Sequence, residues 1–212
     1  MKYKKALAVL LTLICLCVVS FASFNAGVRY GSQQMLDEDW KYYLSQFYFQ
    51  LYNTTYLLSS IDRWGKSIHI TDVTANPYRQ LLTNLNAMKI LNDHAAWDMR
   101  GDKNSHYLKS LSESLKLIEA SIGGGIYIDD QLICNDFLED DILSENEISF
   151  LTFLKQDLEN IKDSLYNPET RQVDLNITMK ELSEAVKPFI VKYSISNLHN
   201  VIKKLMFFQS AI

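Results

Sequence analysis

Apolar residues along the chain recur at helical spacing. Trp40, Leu44, Phe47, Leu51, Thr54, Leu58 and Ile61 are separated by alternating steps of four and three. That spacing places them on one stripe of a helix, with Gly65 as its expected C-cap. Asn76-Pro77 predicts the start of a second helix, because proline is tolerated at a first helical position. Its stripe is Tyr78, Leu81, Leu85, Met88 and Ala95, widened by Leu82 and Leu91. Asp98 to Asn104 is polar, contains Gly101 and reads as a turn.

Leu108, Leu111, Leu115, Ile118 and Ile122 predict a third helix, stopped by Gly123-Gly124-Gly125. Ser144-Glu145-Asn146-Glu147 is a capping box, followed by a seam at Leu151, Leu154, Leu158, Ile161 and Leu165. Asn167-Pro168 closes that helix. Thr178-Met179-Lys180-Glu181 is a second capping box. Its helix is expected to end or kink at Pro188 and to continue from Phe189 to Gln209. Residues 125–143 break the pattern. They fit a short hairpin, Ile126-Tyr127-Ile128 against Leu132-Ile133-Cys134, or a loop with a short helix.

Single stripes cannot bury themselves. Helices of this length joined by short links pair as antiparallel neighbours. The expected fold is therefore all-α: a four- to five-helix bundle of antiparallel hairpins after an N-terminal membrane or signal segment. The scarcity of breakers, 7 Gly and 3 Pro in 212 residues, agrees.

The opening segment sets the division of the chain into residues 1–28 and 29–212. Ala6 to Phe24 carries no charge. A helix rising ~1.5 Å per residue crosses the ~30 Å hydrocarbon core with about 20 residues, so residues 6–24 suffice as a membrane anchor. The densest apolar part stops at Val19 and is followed by Ser20-Phe21-Ala22, a small-x-small pattern that fits signal-peptide cleavage near Ala22. In both readings Lys2, Lys4 and Lys5 stay inside and residues 29–212 face outside.

Those three lysines are the only charges before Arg29. Of 21 basic and 25 acidic residues, 18 and 25 therefore lie from residue 29 onward, a net of −7. Such a body repels nucleic acid. Cys15 and Cys17 fall in the opening segment, which leaves Cys134 alone in the body and excludes an intramolecular disulfide there. An exported protein without a disulfide points to a bacterial envelope more than to a eukaryotic secretory route, while the sequons Asn53-Thr54-Thr55 and Asn176-Ile177-Thr178 point weakly the other way.

Candidate chemistry is sparse. Gly65-Lys66-Ser67 lacks the earlier glycine of a phosphate-binding loop, since position 60 is Ser60. His94, Asp98 and His106, with Asp93, bracket a helix–turn–helix but lack metal-ligand spacing. Asp129, Asp130, Asp136, Glu139, Asp140 and Asp141 form an acidic patch without calcium-loop spacing. Its default reading is a solvated surface, and its other reading a site for a divalent ion or a basic partner. No catalytic residue, metal site or cofactor is assigned from these patterns. Tyr42, Phe49 and Tyr56 lie seven apart and form a second stripe beside the first helix's leucine seam. A helix apolar on two faces is either central in its bundle or bound to a partner.

The stretch LSENEISFLTFLKQDLENIKDSL, 143–165, begins Leu-polar-polar-Asn-Glu and continues as a helix. Set after a short Lys-rich tail, one membrane segment and successive helical hairpins, it resembles the N-terminal region of YpeB-type spore germination proteins. The similar stretch covers about a tenth of the chain, and the C-terminal domains of those proteins have no counterpart in it. The resemblance implies an envelope scaffold that stabilises a partner.

The function expected is thus non-enzymatic: an anchored or exported bundle acting through a protein partner or self-association. A ligand-sensing bundle signalling through a partner fits the same layout. An enzyme would have to use a site without a motif, such as His94, Asp98 and His106.

Overall fold

The seams fold as their spacing requires. The computed structural model describes residues 36–60, 77–123, 126–128, 131–134, 143–194 and 197, with backbone alone for 126–128 and 131–134. Five helices run through these residues: α1 (36–58), α2 (Pro77–Asp98), α3 (Ser105–Gly123), α4 (Glu145–Ser164) and α5 (Met179–Lys192). The chain divides into two compact units, Met1–Trp40 and Lys41–Ile212. In the first, residues 36–40 are helical. The remainder of this description concerns the second.

α2 and α3 form an antiparallel hairpin closed by the 99–104 turn. The Tyr78 hydroxyl at the start of α2 donates to the Ile122 carbonyl at the end of α3, and Lys89 pairs with Glu119 at 3.7 Å. α4 and α5 form the second hairpin. Tyr193, just past α5, donates its hydroxyl to Asp157 Oδ2 at 2.7 Å, and the Lys192 ammonium meets the same carboxylate. The Tyr193 ring also packs edge-on against Phe150, 6.3 Å between centroids, so the α5 end is fixed to α4 by polar and apolar contacts together.

The hairpins meet where α3 packs against α5. α3 therefore buries two faces, and Ser112, Ser114 and Ser121 join its leucines inside. Serine is small enough to let neighbouring backbones approach, and Ser121 returns its hydroxyl to the Leu117 carbonyl at 2.6 Å. Among the described residues no buried side-chain nitrogen or oxygen lacks a hydrogen-bond partner.

Both capping boxes are formed. Ser144 Oγ accepts from the Glu147 N–H at 3.3 Å while the Glu147 carboxylate accepts from the Ser144 N–H. Thr178 and Glu181 repeat the exchange at 3.3 and 2.8 Å. These pairs satisfy donors that the first helical turn otherwise leaves open.

Four details differ from, or add to, the sequence reading. α1 ends at 58, before Ile61, and Gly65 lies outside the described residues. α4 ends at Ser164, and Tyr166–Asn167 pairs with Gln172–Val173 in a small antiparallel hairpin, β3–β4, that the sequence pattern did not announce. Asn167 Oδ1 organises its turn by accepting from the Glu169 N–H at 2.9 Å, and Arg171 adopts a left-handed φ of 56°. Pro188 does not end α5. The Glu184 carbonyl, which loses its donor there, belongs to an exposed residue and can be served by water. The helix stops instead at Lys192, so the expected run to Gln209 is not continuous with α5; residues 198–212 lie outside the described set.

Within 125–143, residues 126–128 and 131–134 form the hairpin, and 135–142 lie outside the described residues. β1 (Ile126–Ile128) pairs antiparallel with β2 (Gln131–Cys134), with Ile126 opposite Cys134. The fold is thus mostly helical with two minimal hairpins. Among the described residues no helix is long and apolar enough to cross a membrane. Residues 6–24 and the cleavage position near Ala22 lie outside the described set.

Candidate interaction surface

α1 has two seams. The inner one is Leu44, Phe47, Leu51, Thr54 and Leu58, each 0 or 1% exposed. Tyr43 joins it, stacked on Phe47 at 5.6 Å. The Tyr43 hydroxyl crosses to α2 and donates to Asn92 Oδ1 at 2.8 Å, while Asn92 Nδ2 donates to the Met88 carbonyl at 2.8 Å. Burial holds the Tyr43 hydroxyl well above the ordinary tyrosine pKa, because the phenolate cannot be hydrated there. The half-buried Tyr48 is also shifted upward, first by loss of water and then by the charges of Tyr166 and Asp163.

The opposite face is exposed. Tyr42 is 66% exposed, Phe49 55%, Tyr52 51% and Tyr56 73%. The core-filling alternative for the Tyr42, Phe49 and Tyr56 stripe is therefore incorrect: the inner seam already faces the bundle, and these residues lie on the other side of the helix. The rings of Tyr52 and Tyr56 stack, 6.4 Å apart and 10° from parallel. Ser45 and Ser59 are exposed on the same face. Together the six positions 42, 45, 49, 52, 56 and 59 step by 3, 4, 3, 4, 3, the spacing of a helix-pairing seam.

The outer seam is also free of charge. No Asp, Glu, Lys, Arg or His occurs between Lys41 and Asp62. An ordinary solvated helix face carries charged residues. Here the outward positions are Tyr, Phe, Ser, Gln and Asn: aromatic rings are enriched and charges depleted at the centre of protein interfaces, and Tyr with Ser and Asn is the mixture of antibody-type binding loops. A search for apolar stripes finds Tyr42, Phe49 and Tyr56 but passes over Ser45 and Ser59. The absence of charge over this length is the signal that would have delimited the whole face.

The other candidates do not assemble into a site. Asp93, His94, Asp98 and His106 are all exposed. His106 Nδ1 lies 2.8 Å from the Lys103 carbonyl oxygen, and its ring sits 4.1 Å from that of Tyr107. Among the described residues no three His, Cys, Asp or Glu side chains are grouped so as to hold a metal ion. Asp129, Asp130, Asp136, Glu139, Asp140 and Asp141 lie outside the described residues, as does Gly65-Lys66-Ser67.

Compared with known proteins, the chain matches no family model, no curated protein and no solved structure.

Proposed function

We propose that this chain is a non-enzymatic helical-bundle protein of the cell envelope that acts by binding protein through the outer face of α1. Residues 6–24 hold it at the membrane as a single-pass protein with the bundle outside, or direct its export with cleavage near Ala22. The observation that carries the reading is the exposure of Tyr42, Phe49, Tyr52 and Tyr56 on a helix with no charged residue between Lys41 and Asp62. Large apolar rings left in water are unfavourable by ~25 cal/mol per Å², and a contiguous uncharged aromatic face marks a surface meant to be covered. The resemblance of residues 143–165 to YpeB-type proteins, taken as partner-stabilising scaffolds, agrees with it.

The test is the size of the native complex. The full chain is extracted from its host in mild detergent and sized, as wild type and as Phe49→Glu/Tyr56→Glu. Both positions are exposed, so the fold tolerates the change. The wild type is expected in a complex larger than one chain, and the double variant as a single chain with unchanged helical circular dichroism. A wild type that migrates as one chain, or a variant that stays in the complex, refutes the reading.

A further inference from the structure

We propose that the occupant of this face is a second copy of the same chain, paired α1 against α1 along the outer seam. This rests on the reading of α1 as a protein-binding face and names its partner. Three observations carry it.

The first is charge. A partner selected from others by charge requires charges flanking the seam, as e and g positions supply in helix pairs. The flanking Gln46 and Asn53 are uncharged. A second copy has the opposite requirement. In a pair whose two-fold axis runs along the helices like residues sit near like, and any charge on the seam would oppose its own image. The body from residue 29 onward carries a net of −7, and two copies repel over most orientations. Over positions 42–59 the outer face of α1 carries no charge to oppose; Glu38 and Lys41, each one turn before a seam position, are exposed at its N-terminal edge.

The second is chemistry. Tyr hydroxyls and the Gln46 and Asn53 amides each donate and accept, so an identical face satisfies them. The third is geometry. A seam stepping by 3 and 4 fits a helix bearing the same seam, and α1 is such a helix. Phe49 stands at its middle, seven residues from Tyr42 and seven from Tyr56. A two-fold axis running along the helix pair, or crossing it at Phe49, brings Phe49 onto Phe49 of the other copy in either case. Four rings of ~200 Å², half to three-quarters exposed, offer ~500 Å² per copy and ~1,000 Å² for the pair, the threshold of a specific interface. Confinement of both copies to one membrane raises their effective concentration and favours pairing over such an area.

Photo-cross-linking of the full chain in its host membrane tests this. A benzophenone side chain is placed at Tyr42, Phe49 or Tyr56, with Glu113, exposed on α3, as the control position. The expected product from the three seam positions is an adduct at about twice the 24.5 kDa chain mass, containing this sequence alone, and no such adduct from position 113. With the cross-linker at Tyr56, adding Phe49→Glu is expected to lower the yield about tenfold or more, because two carboxylates then face each other. An adduct with a different protein overturns the second-copy assignment and leaves the binding face standing. Absence of any protein adduct, including adducts to lipid alone, overturns both.

Discussion

Asn92 is the residue at which pattern reading and packing part company. It occupies the gap between Met88 and Ala95 on the buried stripe of α2, and it is fully buried. A polar residue there looks like an interruption of the stripe. Only the Tyr43 hydroxyl, arriving from α1, explains it, and that partner is 49 positions away in sequence. Tyr43→Phe keeps the ring and removes the donor, leaving Asn92 Oδ1 buried without it. The expected loss is ~1–3 kcal/mol of unfolding free energy, read from denaturant titration. Combining Tyr43→Phe with Asn92→Leu removes both partners and is expected to recover most of that loss.

The same tyrosine and Tyr193 set the alkaline limit of the fold. Burial raises both hydroxyls, and in Tyr193 the neighbouring Asp157 charge adds to it. A folded-state pKa raised above the unfolded value contributes stability that is complete below pH ~10 and is lost as pH rises past it. Alkaline titration followed at the phenolate absorbance is therefore expected to show Tyr43 and Tyr193 ionising only as the helical signal collapses. Ionisation of all tyrosines with the helices intact contradicts this.

At the scale of elements, most of the architecture was legible in the chain. Periodicity and local chemistry agreed for α2, α3 and α4, whose seams are buried as spaced, and both capping boxes are closed. Such signals are legible because they act within one or two turns. The β3–β4 hairpin was not legible, because two-residue strands have no period to read, and Pro168 signals only that a helix has stopped. Pro188 signalled an end or a kink, and the end does not occur there: whether proline stops a helix depends on whether the carbonyl four residues back, here that of Glu184, reaches water, which is a tertiary fact.

The α5 cap gives an acid-side prediction. The Glu181 carboxyl is held below its ordinary pKa, first by the Thr178 backbone N–H and then by the Thr178 hydroxyl. A depressed folded-state pKa contributes stability above the unfolded value of ~4.3 that is lost as pH falls through the folded one. Glu181→Gln is expected to lower the thermal midpoint at pH 7. Its deficit relative to wild type should shrink below pH ~4. A deficit constant from pH 7 to pH 3 contradicts the cap's electrostatic part.

At the scale of the whole molecule, α1 carries one seam turned to the bundle and one turned to water. The inner seam holds α1 to the bundle, with Tyr43 on Asn92 of α2. The outer seam holds Tyr42, Phe49, Tyr52 and Tyr56 in water when the chain is alone. The sequence announced two apolar faces but not which one the bundle would use, since that choice depends on how α2 approaches α1. Anchored by residues 6–24, the bundle would present this face outside the membrane, where a neighbouring chain can reach it.

The central claim is that this face is covered by protein outside the membrane. Labelling of intact cells with a membrane-impermeant maleimide tests it most directly. Two full-chain variants are compared, each in a Cys15→Ala/Cys17→Ala/Cys134→Ser background: Phe49→Cys on the outer seam and Glu113→Cys on α3. The expected result is rapid labelling at 113 and labelling at 49 slowed about tenfold or more, with the difference abolished when the same membranes are dissolved in denaturant. Equal rapid labelling at both positions would mean an uncovered face. Labelling at neither position before denaturation would mean a bundle that does not face outside.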